Sequence, residues 1–109
     1  MRTIEADELK AKLDRGESFK LVMALNDWAF RAKRIPGSLN IHEPQKALQL
    51  LEPDDEIVVY CSNVQCPSSV MAYHFLVDQG YKNVRRFAGG LTAWEEAGYP
   101  MEGEMVTGA

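Results

Sequence analysis

The sequence predicts an α/β sandwich, a central and mostly parallel sheet with helices on both faces. Two observations carry this. Apolar runs of strand length alternate along the chain with stretches of helical period, and such alternation implies parallel pairing through right-handed crossovers. The run Glu56 to Tyr60 (EIVVY) is also nearly continuous in apolar residues after its first position, as expected of a central strand covered on both faces.

In Asp7 to Leu13 (DELKAKL), Leu9 and Leu13 stand four apart with charged residues between them, predicting a short amphipathic helix stopped by Arg15-Gly16. Phe19 to Leu25 (FKLVMAL) reads as a buried strand. Asn26 to Lys33 reads as one or two helical turns, stopped by Ile35-Pro36-Gly37. Ser38 to Ile41 is a short strand, Gln45 to Leu51 a second amphipathic helix, and Glu52-Pro53-Asp54-Asp55 the turn before Glu56 to Tyr60. Pro67 to Gln79 is the longest helix, with Pro at its first position and Gly80 as its cap, and Val84 to Phe87 is the strand after it. Gly89-Gly90 turns the chain into a last helix, Leu91 to Ala97, which carries Trp94 as a core anchor. Residues 1–101 are expected to form one domain and 102–109 a flexible tail.

The chain has 109 residues, enough for a single core. With 46% hydrophobic and 26% charged residues and no long apolar run, it offers no membrane span. The net charge of −4, with basic residues scattered apart from Arg31, Lys33 and Arg34, argues against a nucleic-acid surface. The acidic residues near the start are unlike a secretory leader, so a cytoplasmic protein with reduced thiols is expected. Two cysteines in a C-x4-C pattern, with no second pair of ligands nearby, do not make a structural zinc site.

Those cysteines bracket one loop. In open parallel sheets ligands bind beyond the carboxyl ends of the strands, and Glu56 to Tyr60 delivers Cys61 to that edge. A loop between a strand's carboxyl end and a helix's amino end can turn its N–H groups inward, and with the helix dipole they make an anion-binding nest. A Cys61 thiolate there is expected to be stabilised and its pKa lowered.

Four segments together resemble the rhodanese family of sulfurtransferases. Arg34-Ile35-Pro36-Gly37-Ser38-Leu39-Asn40-Ile41 is similar to the family's HIPGAxNI, and Ile57 to Cys61 to its strand ending in the active-site cysteine. Gly80-Tyr81-Lys82-Asn83-Val84 is the third, and Gly89-Gly90-Leu91-Thr92-Ala93-Trp94 with Gly98-Tyr99-Pro100 is similar to the GGxxAW…GYP ending. The resemblance implies a rhodanese-like three-layer sandwich in which Cys61 is the sulfur-carrying nucleophile. It implies a donor such as thiosulfate, a thiol or cyanide acceptor or an acceptor protein, ping-pong chemistry, and no metal or organic cofactor.

Two departures stand out. The loop Ser62-Asn63-Val64-Gln65-Cys66-Pro67-Ser68-Ser69 is longer than the family's usual one and holds neither Arg nor Lys, leaving backbone N–H groups and Ser62, Asn63, Gln65, Ser68 and Ser69 to hold a charged substrate. Met23 and Leu25 stand where the family's Asp and Arg usually do, so apolar packing is expected in place of a polar link. Cys66, at the N-cap before Pro67, has three open readings: packing, a resolving thiol for Cys61, or a participant in sulfur transfer. His74 and His42 read as helix and loop residues outside the chemistry, and Trp28 and Phe30 as core or pocket rim. The Arg31, Lys33, Arg34 cluster reads as a solvated face. A phosphatase on this fold would need Cys-x5-Arg, and the sixth residue after Cys61 is Pro67. The remaining alternative is a non-catalytic binding or redox-sensing module that uses the Cys61/Cys66 pair.

Overall fold

A computed structural model describes residues 1–106. Its elements, in chain order, are α1 (Ala6–Asp14), β1 (Lys20–Met23), α2 (Asp27–Ala32), β2 (Ser38–Asn40), α3 (Pro44–Leu50), β3 (Glu56–Tyr60), α4 (Pro67–Asp78), β4 (Asn83–Phe87) and α5 (Gly90–Glu96). The strands form one four-stranded sheet in the order β2-β1-β3-β4, with every pair parallel. Each expected helix and strand is present. The strand expected over 19–25 is shorter as a ladder, although Ala24 still donates its N–H to the Tyr60 carbonyl.

The pleat divides the side chains of β3 between two cores. Ile57 and Val59 join Val22, Val84, Ala47, Tyr73 and Leu76 on the face covered by α3 and α4. Val58 and Tyr60 join Leu9, Leu21, Met23, Phe87 and Trp94 on the opposite face. All four β3 residues from Ile57 to Tyr60 are essentially without solvent exposure, which is why this run shows no polar alternation. Met23, fully buried, packs in the second cluster with Leu25 against it, so apolar contact does occupy these positions. Trp94 is buried between Phe87 and Tyr99, and its Nε1–H donates to the Pro100 carbonyl at 2.8 Å. Trp28 is exposed and Phe30 half-buried.

Two features were not legible beforehand. The N-terminal segment runs parallel to the outer edge of β4, where Arg86 donates its N–H to the Arg2 carbonyl and accepts from Ile4. The chain expected to be a tail from residue 102 is tied back as far as Met105. Arg34 and Glu102 exchange both backbone hydrogen bonds, and Glu104 and Met105 donate to the carbonyls of Arg31 and Ala32. Residues 107–109 lie outside the described residues. Among the described residues no helix is long and apolar enough to cross a membrane.

Candidate functional site

Cys61 follows the last residue of β3 and, by the pleat, faces α4 rather than α5. Its neighbours keep it there. The N–H groups of Leu91 and Thr92 in α5 donate to the carbonyls of Cys61 and Ser62 at 3.0 and 2.9 Å, so the start of α5 grips the start of the loop. Gly90, with φ of +59°, lies so close that a Cβ would press on the Cys61 carbonyl oxygen and reach within 2.9 Å of the Ser62 carbonyl carbon. Glycine is needed here both for conformation and for space. Farther along, Asn63 Oδ1 accepts from the Gln65 N–H and the Asn63 carbonyl from the Cys66 N–H, closing a tight turn that returns the chain to α4.

The Cys61 side chain is 1% exposed. Its Sγ lies 3.2 Å from Ser69 Oγ and 3.6 Å from the Cys66 carbonyl oxygen. Cys66, the N-cap of α4, is half-buried, and both thiols are free. The two interact as a pair. Burial pushes the Cys61 thiol up, and its hydrogen bond to Cys66 adds to this, against the opposing pull of the Ser69 hydroxyl and N–H. Burial also works against the Cys66 thiolate. There, hydrogen bonds from Cys61, from the N–H groups of Ser68 and Ser62 and from the Ser62 hydroxyl outweigh it and bring the pKa down to about 7. The anion-stabilising nest therefore favours Cys66, whereas the sequence pointed to a lowered pKa at Cys61. The deeper sulfur meets more desolvation than the helix start offsets.

The remaining loop residues divide by depth. Asn63, Val64 and Gln65 are exposed, Ser62 and Ser68 half-buried, and Ser69, expected to hold substrate, is buried against Cys61. Arg86 was missed altogether. From β4 its Nε donates to Ser69 Oγ at 2.8 Å and its Nη2 to the Val64 carbonyl at 3.1 Å, with the residue only 6% exposed. The loop that holds no cation thus has one beneath it. The signal was the pair Arg85-Arg86 inside a strand, because alternation must send one of them toward each face.

Beside the loop a largely apolar groove of about 520 Å³ opens between α3 and α4, with Ser68 the one lining residue from the segment 61–69. His42 reaches its rim, while His74 is exposed and stacks edge-on against Tyr73. Arg31, Lys33 and Arg34 each pair with a carboxylate, of Asp27, Glu95 and Glu102 respectively, in keeping with a solvated face. Among the described residues no three His, Cys, Asp or Glu side chains converge as a metal site.

This strand–cysteine–loop–helix arrangement agrees with sequence comparison: the profile of the rhodanese-like domain matches residues 5–97. The chain belongs to the rhodanese-like family. It is 35% identical over 71 residues to the thiosulfate sulfurtransferase GlpE of Pseudoalteromonas translucida, an alignment covering 63% of this chain and 66% of that protein. Among solved structures, the rhodanese-like domain of the Anabaena Alr3790 protein superposes with a TM-score of 0.85 at 27% identity, over 96% of this chain and 81% of that one. The human single-domain sulfurtransferase TSTD1 does so with a TM-score of 0.77 at 26% identity, over 88% of this chain and 96% of that one. The rhodanese-like fold thus accounts for the all-parallel sheet, and the Gly90 contact gives the physical reason for the second glycine of its Gly-Gly turn.

Proposed function

We propose that this rhodanese-like protein is a sulfurtransferase that carries sulfane sulfur as a persulfide on Cys61. The observation that supports this most is the seat of the Cys61 sulfur, at the carboxyl end of the central strand and under the first turn of α4, with the Ser69 hydroxyl at 3.2 Å. The relatives named thiosulfate sulfurtransferase and single-domain sulfurtransferase point the same way. In the first half-reaction the Cys61 thiolate attacks the outer sulfur of thiosulfate; the new S–S bond forms as the sulfur–sulfur bond of the donor breaks, and sulfite leaves with the electron pair. In the second, an acceptor thiolate or cyanide takes the terminal sulfur and the Cys61 thiolate is restored. Cys66, its pKa brought down to about 7, would receive the Cys61 proton as attack begins. Two free thiols suit a reducing compartment such as the cytoplasm.

A second reading is a redox pair that closes a Cys61–Cys66 disulfide, favoured by the interaction of the two thiols. One experiment separates them. The reduced protein is incubated with thiosulfate, and in parallel with a small-molecule persulfide, and intact mass is followed by peptide mapping. One added sulfur on Cys61, retained in Cys66→Ser and lost in Cys61→Ser, supports the carrier. Loading that persists in Cys61→Ser moves the nucleophile to Cys66. No loading from either donor, with a ready internal disulfide under mild peroxide, supports the redox pair.

A further inference from the structure

A buried guanidinium normally has a carboxylate partner, since an uncompensated charge away from water is costly. Arg86 is buried, yet among the described residues no carboxylate pairs with it. Its hydrogen bonds run instead to two groups of the active-site segment, the Ser69 hydroxyl and the Val64 carbonyl. The group lying beyond Ser69 is the Cys61 sulfur.

A serine hydroxyl has one proton and two lone pairs. With Arg86 Nε occupying a lone pair of Ser69 Oγ, the Ser69 proton remains free to turn toward Cys61 Sγ whenever that sulfur is negative. When Cys61 is a thiol, the same oxygen can accept its S–H. The bond from a cation also polarises the hydroxyl and makes it a stronger donor, as chains of hydrogen bonds do. Through its second bond, Arg86 fixes the position of Val64, in the middle of the loop, relative to β4. The charged and titratable groups around Cys61 are then Cys66, from the loop, and Arg86, from β4, the latter linked to it through Ser69 of α4.

We propose that Arg86 is the positioning cation of this site: acting through Ser69, it orients the hydroxyl that stabilises negative sulfur at Cys61, and so supplies from β4 the positive charge that the loop lacks. The inference rests on Cys61 being the reactive thiol, while its test reads ionisation rather than sulfur transfer, so that failure of one does not pass for failure of the other.

The test uses a Cys66→Ser parent, in which Cys61 is the single thiol, and follows the rate of Cys61 alkylation by iodoacetamide across pH, with thiolate ultraviolet absorbance as a second record. In Ser69→Ala and in Arg86→Gln the profile moves to higher pH, and the rate at pH 7 falls by about tenfold in each while the high-pH plateau is retained. Arg86→Lys, which keeps the charge, restores most of the neutral-pH rate. The double variant Ser69→Ala/Arg86→Gln loses no more than the larger single loss, because the two groups act in series. Unchanged profiles in Ser69→Ala overturn the proposal even if Arg86→Gln fails to fold. So does an Arg86→Gln protein that melts earlier but titrates like its parent, which would leave Arg86 a purely structural loop anchor.

Discussion

Arg85 and Arg86 are consecutive in β4, so the pleat sends them to opposite faces of the sheet, and the two faces receive a guanidinium differently. On the α1 face Arg85 meets acids: Nη1 pairs with Glu8 at 2.9 Å and Nη2 with Glu56 at 3.2 Å. Glu56 also pairs with Lys12, which in turn binds Glu17, so the charges there form a connected chain, with Arg85 Nε its one buried donor without a partner among the described residues. On the α4 face Arg86 meets a hydroxyl and a carbonyl, and the nearest group able to become an anion in its network is a cysteine sulfur. The same residue type in adjacent positions is balanced in one place and left available in the other. A face whose charges are paired contributes to folding; a face whose cation under the loop meets no carboxylate among the described residues is, on the proposal above, the one prepared for an anion that arrives or forms.

The largest effect comes from removing the seat that the second face depends on. Gly90→Ala would introduce a Cβ against the Cys61 carbonyl at a left-handed backbone position. Urea unfolding is expected to show a loss of about 2 to 4 kcal/mol, together with reduced reactivity of both thiols. Native stability and native reactivity would show that the loop is not gripped by α5.

Next comes the direct contrast of the two arginines in the otherwise native chain. Arg86→Gln should slow Cys61 alkylation at pH 7 by about tenfold, whereas Arg85→Gln should leave the rate within about twofold and lower stability by roughly 1 kcal/mol instead. Equal effects of the two on reactivity would abolish the distinction between the faces.

A smaller effect sharpens the roles of the cysteines. Alkylation of Cys66, read by peptide mapping, should rise with a midpoint near pH 7, and Cys61→Ala should move that midpoint upward because the Cys61 thiol no longer donates to the Cys66 thiolate. An unchanged midpoint would assign the low pKa to the N–H groups of Ser68 and Ser62 and the Ser62 hydroxyl, without Cys61.

The smallest effect belongs to the paired face. Burial works against the Lys12 ammonium, but hydrogen bonds to Glu17 and Glu56 outweigh it and hold its pKa above the usual lysine value. A raised folded pKa means that this contribution is fully present below the unfolded value and is lost as pH rises through the folded one. Burial also raises Tyr60 and Tyr81, whose ionisation at high pH opposes folding, so the Lys12 part must be read as a difference. Melting temperature measured from pH 9 to strongly alkaline conditions should therefore decline less steeply in Lys12→Met than in the native chain. Parallel declines would show that the ammonium adds nothing beyond the tyrosines.

Sequence by itself determined the order and type of the elements, because local signals specify them: Pro36-Gly37 and Gly80 stop segments, Pro67 opens α4, and the unbroken apolar run of β3 declares a strand covered on both faces. It also identified Cys61 at a strand end and Cys66 at a helix cap, since both positions follow from those boundaries. What it could not decide was how deep each thiol lies and what stands behind it. Burial of Cys61, the lower pKa of Cys66 and the bridge from Arg86 through Ser69 arise from packing β4 beside β3 and α4 across both. Alternation shows that one of two adjacent arginines turns inward, but only the parallel register, with Val59 opposite Arg86, brings its guanidinium under the loop. Through-space electrostatics depends on distances between residues far apart in the chain, and only the tertiary fold sets those distances.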